Sequence, residues 1–253
     1  MNKVTLCLML GLGMLSPSVC LAVTPFVSAS ATALGEITQL SDSPADYALS
    51  PLIAETGCCV SYLKPFSLAD TGVYGVHTAF AKNPFRFATG MLYLDHTGYR
   101  WQNGYLCLAL ASAGWKVGLT QHLVYERISQ ESWFTWDNDY ALGYENKAYG
   151  MELRYNNAHS SDAAFSLTGS TRLDPSAKMA STLTWQNGEP LYYALASVYQ
   201  IAKPLAFQTS YQSEPSRFGC GIKIAVEGYR LQYAVQTHPE LSLSHAVDLG
   251  FSW

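Results

Sequence analysis

The side chains here that could carry neutral-pH proton chemistry are six histidines, His77, His96, His122, His159, His238 and His245. An imidazole beside a serine hydroxyl can make a nucleophile for ester hydrolysis when a third group orients the ring. One histidine approaches that requirement. His245 shares the period-2 parity of Val247, Leu249, Phe251 and Trp253, and Ser197 or Thr209 has the corresponding outward parity elsewhere. A phospholipase at a lipid-facing rim needs such a pair. No neighbouring segment supplies the serine and no orienting group is apparent, so an interfacial histidine is the simpler reading. His96, His159 and His238 fall in or beside loop sequences and read as solvated. The serine elbow GxSxG, HExxH, a phosphate loop and a dinucleotide fingerprint are all missing from the sequence. The expectation is a non-enzyme without a cofactor.

The cysteines give no metal site either. Two of the six, Cys7 and Cys20, fall within residues 1–22, and Cys58, Cys59, Cys107 and Cys220 have no CxxC or Cys/His ligand spacing. Adjacent Cys58 and Cys59 point to opposite faces of a strand and do not pair easily. A second set of polar residues shares the parity opposite to the apolar one: Glu126, Asp139, Glu145, Glu152, Arg154, Lys178, Gln208, Gln212, Lys223, Arg230, Gln232 and Asp248. Glu152, Arg154, Lys223, Arg230, Gln232 and Asp248 are the lumen-facing candidates if the sheet closes. Their mixed signs describe a hydrogen-bonded, filled interior rather than a selective ion path.

What must position these residues follows from composition and period. Charged residues make up 13% of the 253-residue chain, about half of the usual ~25%. Tyrosines number 17, and the net charge of −4 gives a nucleic-acid partner no electrostatic support. Residues 1–22, with Lys3, an apolar run from Val4 to Leu15 and small residues at Cys20-Leu21-Ala22, read as a secretory signal. After Leu15 no stretch is long and apolar enough for a membrane helix, so a membrane location requires a closed barrel.

From residue 58 to 253 the chain alternates with period 2. Tyr149, Met151, Leu153 and Tyr155 alternate with Gly150, Glu152, Arg154 and Asn156; Phe218, Cys220, Ile222, Ile224 and Val226 alternate with Gly219, Gly221, Lys223, Ala225 and Glu227. The same holds at Tyr229, Leu231, Tyr233 and Val235. Sandwiches alternate as well, but these runs are about 9 to 13 residues long against a soluble norm of about 5 to 6. About ten tilted residues span the ~25 Å apolar band of an outer membrane. Trp101, Trp115, Trp185, Tyr199 and Trp253 sit where interfacial girdles belong. The fold expected is an all-β transmembrane antiparallel barrel of about fourteen strands, near 58–64, 71–82, 85–95, 101–112, 115–126, 133–145, 148–156, 162–172, 177–186, 190–200, 204–212, 216–226, 228–236 and 244–253. Tight turns such as KNP, SAG and VEG alternate with longer connections such as KPFSLADTG, HTGYR, RISQES and THPELSL, a contrast that is marginal at NGE and EPS. An even strand number puts both termini on the periplasmic side, with the tight turns.

The chain ends SHAVDLGFSW. Val247, Leu249, Phe251 and Trp253 form one greasy face running to the carboxy terminus, and this pattern looks like the signal read by the outer-membrane barrel assembly machinery. Residues 23–57 lack a strand pattern. Ser50-Pro51 followed by Glu55 could open a short helix there. The place for this segment is inside or beneath the barrel, as a hatch, because a fourteen-strand lumen is too wide for wall side chains to fill.

Both ends resemble a family. The segment ALGEITQLSDSPADYALSPLIAETG followed by CCVSYLKPF resembles the opening of PorV/PorQ-type barrels, with Pro51 matching the proline of their turn. The closing hairpin resembles theirs through Tyr229, Leu231, Tyr233, His238, Leu241, His245, Leu249 and Gly250. The resemblance implies a FadL-like fourteen-strand barrel with an amino-terminal hatch. It implies either support of protein secretion, with a secretion-system or cargo protein as partner, or passive transport of hydrophobic small molecules. The inner wall discriminates: a polar, filled lumen favours a scaffold, and a continuous apolar path favours transport. The mixed charge of the inward set leans toward the scaffold. The expected location is the outer membrane, in contact with its lipid.

Overall fold

A backbone in hydrocarbon must satisfy its own polar groups, and a sheet does so only by closing on itself. The computed structural model, which describes residues 28–68, 70–96, 98–156 and 163–253, is such a closed sheet. The signal-like residues 1–22 lie outside the described residues. The fourteen strands are β1 (Gly57–Lys64), β2 (Val73–Lys82), β3 (Phe85–His96), β4 (Tyr99–Ser112), β5 (Trp115–Ile128), β6 (Glu131–Glu145), β7 (Tyr149–Asn156), β8 (Ala164–Arg172), β9 (Ala177–Gln186), β10 (Tyr192–Ala202), β11 (Leu205–Ser213), β12 (Ser216–Val226), β13 (Tyr229–Gln236) and β14 (Ser244–Phe251). Sequential strands pair antiparallel, and β14 closes on β1 with Cys58 opposite Phe251 and Tyr62 opposite Val247.

The alternation decides which face is greasy. On β12, Phe218, Ile222 and Ile224 are exposed while Arg217, Gly219 and Gly221 are buried; on β13, Tyr229, Leu231 and Tyr233 face out and Arg230, Gln232 and Ala234 face in. The exposed apolar side chains form a band around the barrel, the inverse of a soluble protein and the arrangement of an outer-membrane one. Aromatic contacts border the band on both rims. One rim pairs Tyr62 with Tyr74 at 5.1 Å, Tyr125 with Phe134 at 4.9 Å and Tyr155 with Phe165 at 4.3 Å between ring centroids. The other, which carries the start of β1 and the end of β14, pairs Trp115 with Tyr144 at 5.2 Å and Tyr229 with Phe251 at 5.0 Å. By the barrel rule the latter is the periplasmic rim.

Two expectations need correction. Trp101 is not a girdle residue: it is 6% exposed and points inward with Tyr99, Tyr105 and Cys107, because the outward face of β4 belongs to Leu106, Leu108 and Leu110. The connections HTGYR and RISQES are not long loops either. The strands on both sides continue, leaving only residues 97–98 and 129–130 between them. As a result the wall is uneven, with strands of 14, 14 and 15 residues at β4, β5 and β6 against 8 and 9 at β7 and β8. β6 pairs with β5 from Glu131 to Tyr144, but only Tyr140–Glu145 pair with β7. Among the described residues, β6 from Glu131 to Asn138 has no strand on its other side.

Inside the barrel, Ser28 to Thr56 folds as a hatch. Its elements are a short helix α1 (Ala29–Leu34) and 3-10 turns at Thr38–Leu40 and Pro44–Ala48. The expected helix at Ser50-Pro51 does not form. Ser43-Pro44 opens a helical turn instead, with Ser43 Oγ accepting from Ala45 N, while the Leu52 and Ile53 carbonyls turn outward to bond a wall arginine.

Candidate functional site

The hatch lies on a bed that the sequence makes flat. On β12 the inward residues beneath α1 are Gly219 and Gly221. A Cβ at Gly219 would stand 2.6 Å from Thr32 O, and one at Gly221 would stand 2.7 Å from Ala33 Cβ. The helix answers with Ala29, Ala31 and Ala33, all buried. Ser28 caps its start by accepting from Ala31 N at 2.7 Å, and Gly35 ends it in the left-handed conformation at φ 58. Small residues on both surfaces bring backbone against backbone.

The centre of the hatch is tied by one carboxylate. Asp46 accepts hydrogen bonds from the hydroxyls of Ser28 and Ser41, tying the start of the segment to its middle. Burial pushes its carboxyl up to about 6 against those hydrogen bonds. Around this knot the barrel wall reaches inward, largely for hatch backbone carbonyls. Arg86 donates to Leu52 O and Ile53 O, Arg154 to Leu49 O, Arg230 to Asp42 O, Gln212 to Gly35 O, and Thr120 to Tyr47 O. Lys223 pairs with the Asp42 carboxylate. Glu152 accepts from Ser50 at 2.7 Å and Thr38 at 3.4 Å, and Asp248 accepts from Ser43 at 3.4 Å. Gln232 donates to Gln208 on the wall itself. Glu152, Arg154, Lys223, Arg230, Gln232 and Asp248 thus all face the lumen, and all but Gln232 touch the hatch directly.

His77 and His122 carry a polar network that the sequence reading did not single out. Ser61 Oγ lies 3.0 Å from His77 Nε2, and His77 Nδ1 lies 3.0 Å from Tyr105 Oη, which donates to Pro44 O at 3.5 Å. This has the order of a nucleophile relay, but Ser61 and His77 are buried beneath the Pro44–Ala48 turn and have no room for a substrate. The relay fastens wall to hatch. Inward parity with Gly75 and Ala79 was the signal available for His77. His245 faces outward and bonds the Tyr233 hydroxyl at 2.8 Å, as an interfacial group does.

On the periplasmic side of the hatch a 270 Å³ cavity opens between Gln39–Asp42, Leu52–Glu55 and the wall, with Lys116, Lys178 and Lys223 among its polar lining. On the outer side the inner wall changes character. Leu63, Val73, Leu92 and Trp101, backed by Leu94, Tyr99 and Val124, make an apolar face across β1 to β5 that forms one cluster with Ala29 and Ala33 of α1 and with Ala234 and Ala246. It ends at Glu126, whose carboxylate accepts from Tyr99 Oη at 3.3 Å and Trp133 Nε1 at 2.8 Å. Next to it stand His122, Asp137 and Asp139, with Asn156 of β7 bonding Asp139 at 2.9 Å. The lumen therefore has a polar, filled lower part and an apolar upper wall.

A closed antiparallel barrel of fourteen strands with a hatch of its own chain belongs to the transmembrane barrels of outer-membrane type. Among solved structures the chain is similar to the Ralstonia pickettii toluene transporter TbuX, with a TM-score of 0.64 at 8% identity over 89% of this chain and 98% of that one. It is also similar to engineered variants of the Rhodopseudomonas blastica porin, for example one with a TM-score of 0.49 at 7% identity over 79% and 99%. The first likeness establishes a shared barrel fold. No protein-family model matches the chain, and no curated protein is similar to it in sequence.

Proposed function

We propose that the chain is a passive outer-membrane transporter of small hydrophobic molecules, with the hatch as its gate. The observation that carries this reading is the apolar inner wall, Leu63, Val73, Leu92, Leu94 and Trp101, set toward the outer side of the barrel. An apolar solute leaving the lipid band or the outer rim meets there a surface of its own polarity, and the hatch lies between it and the periplasmic cavity. The likeness to TbuX, described as a toluene transporter, agrees with this. The polar, filled seat of the hatch favours a second reading, a PorV/PorQ-type support for secreted cargo.

Proteoliposomes with lipopolysaccharide in the outer leaflet separate the two. The expected result is saturable uptake of a small aromatic hydrocarbon above protein-free vesicles. Uptake equal to empty vesicles, together with a stoichiometric cargo or secretion protein recovered by crosslinking in cells, overturns the transport reading.

A further inference from the structure

The outward face of the barrel carries little charge, and its two arginines stand together. Of the seven arginines in the chain, five have inward parity, and only Arg100 of β4 and Arg127 of β5 point outward. The register sets these two directly opposite each other, with Asp95 of β3 on the far side of Arg100. Like charges so placed, with Cβ atoms about 5 Å apart, repel across the ladder. Asp95 answers one of them. It accepts from Arg100 at 2.9 Å and from the Tyr93 hydroxyl at 2.7 Å, and the Arg100 guanidinium lies over the Tyr93 ring, 5.9 Å from its centroid. Arg127 is exposed and acts on Asp95 only through space, without a hydrogen bond to it. Two guanidiniums against one carboxylate leave the cluster positive. It stands at the outer ends of the strands, one step above Tyr93 and the Tyr125–Phe134 ring pair, the level of the lipid headgroups.

A second feature lies beneath it on the same face. Gly104 of β4 faces outward, with Met91 of β3 and Leu123 of β5 as its register partners. A Cβ at Gly104 would find nothing within 4 Å, so the apolar band has a dip there, walled by two exposed apolar side chains. Four residues at about 3.3 Å each, tilted by about 40°, put the dip about 10 Å below Arg100. An acylated phospho-sugar has the same layout, phosphate above and hydrocarbon below.

We propose that this face of β3 to β5 binds a phosphorylated outer-leaflet lipid of the lipid A kind. Arg100 and Arg127 hold its phosphate, and one acyl chain lies in the Gly104 dip between Met91 and Leu123. Guanidinium groups suit a phosphate because each can give it two parallel hydrogen bonds. Asp95 is a positioning residue that keeps Arg100 over Tyr93 and leaves Arg127 for the ligand. The site lies outside the lumen and does not depend on the transport reading.

The test uses the full-length barrel, delipidated in a neutral detergent, with bound lipid counted by native mass spectrometry. The probes are bisphosphorylated lipid A, the same lipid with its phosphates removed, and inorganic phosphate. One lipid A should be retained per barrel, and loss of its phosphates should weaken binding about ten-fold or more. R100A/R127A should show a similar loss. R127A alone, which breaks no hydrogen bond to Asp95, serves if the double variant does not fold, and should cost about five-fold or more. Gly104→Leu fills the dip and should weaken lipid A about five-fold or more. Gly169→Leu, at an outward glycine of β8 with equally open surroundings, should stay within about two-fold of the parent. Equal retention of the phosphate-free lipid, or an affinity unchanged by the arginine variants, overturns the proposal. Displacement of lipid A by millimolar inorganic phosphate, with Gly104→Leu behaving like the parent, makes this a site for free phosphate and overturns the lipid assignment.

Discussion

Replacing Gly219 and Gly221 by alanine should loosen the hatch without opening the barrel. Each added methyl enters occupied space: at Gly219 it would lie 2.5 Å from Ser210 Oγ, 2.6 Å from Thr32 O and 2.8 Å from Ala33 O, and at Gly221 2.7 Å from Ala33 Cβ and 3.0 Å from Tyr233 O. Apolar contacts normally stand about 3.5 to 4 Å apart, so α1 must lift by roughly 1 Å. Overpacking of this kind costs about 1 to 3 kcal/mol, and because both methyls strike the same helix the two costs do not simply add. With about 1.4 kcal/mol per factor of ten, the docked-to-undocked ratio should fall about 5- to 150-fold. Two assays read this out. Single-channel recording should show longer and more frequent open events, and Glu-C protease should cut at Glu36 and Glu55 faster, since the described part of the hatch contains no lysine or arginine for trypsin. Gly169, with nothing within 4 Å of its would-be Cβ, supplies the silent control as Gly169→Ala. If the double variant keeps its heat-modifiable barrel yet conducts and digests like the parent, α1 does not seal the lumen and the gate reading is refuted.

Hatch docking should also depend on pH through Asp46. Its carboxyl is raised from 3.8 to about 6 when docked, so docking is fully favoured below the lower value and weakens as pH rises through the upper one, by about 3 kcal/mol in total. Open probability should therefore rise between pH 4 and pH 7 in planar bilayers, and Asp46→Asn should flatten the curve. Arg86→Ala leaves the Leu52 and Ile53 carbonyls without their donor, a loss of about 1 to 3 kcal/mol, which should appear as faster Glu-C cleavage at Glu55 with an unchanged barrel melting temperature. Removing Phe251 to Trp253 deletes the ring contact to Tyr229 and the greasy end of the last strand. The expected outcome is a several-fold drop in folded barrel in the outer-membrane fraction, and wild-type levels would show that the terminal aromatics do not direct assembly.

The barrel was legible because its signal is local. A side chain's parity along a strand sorts it into lipid or lumen, and β12 and β13 show the sorting held at every residue from Phe218 to Ile222 and from Tyr229 to Tyr233. Strand ends were less legible, because they depend on what the neighbouring strand does. Tyr99-Arg100 and Arg127-Ile128 have the polarity of turn sequences, yet each continues a ladder once its partner is present. The pairing of β6 has the same origin: nothing in ESWFTWDN announces that the described β7 pairs only with Tyr140–Glu145. Trp101 was misplaced for a different reason. Tryptophan near a strand end suits an interface by composition, but the apolar upper lumen is also a home for it, and only its parity with Tyr105 and Cys107 decides. The hatch helix was hidden by length, since a six-residue helix has too few turns for a period to show.

The polarity of the hatch seat is what a removable gate needs. A hydrogen bond inside a protein is worth only about 0.5 to 1.5 kcal/mol net, because water takes over each partner when it breaks. The bonds that hold the hatch run largely from wall side chains to its backbone carbonyls, at Gly35, Asp42, Tyr47, Leu49, Leu52 and Ile53. Lifting the hatch into a wet lumen exchanges these bonds for bonds to water one by one, at modest cost for each. A seat of leucine and phenylalanine would instead expose apolar area with no such compensation, at about 25 cal/mol per Å². The wall keeps its apolar residues toward the outer side, between Leu63 and Val124, where they also meet Ala29 and Ala33 of α1 and where, on the transport reading, a solute is to be held. A plug bound by replaceable polar contacts beneath an apolar wall can move on binding, because the solute meets the second surface without having to break the first all at once.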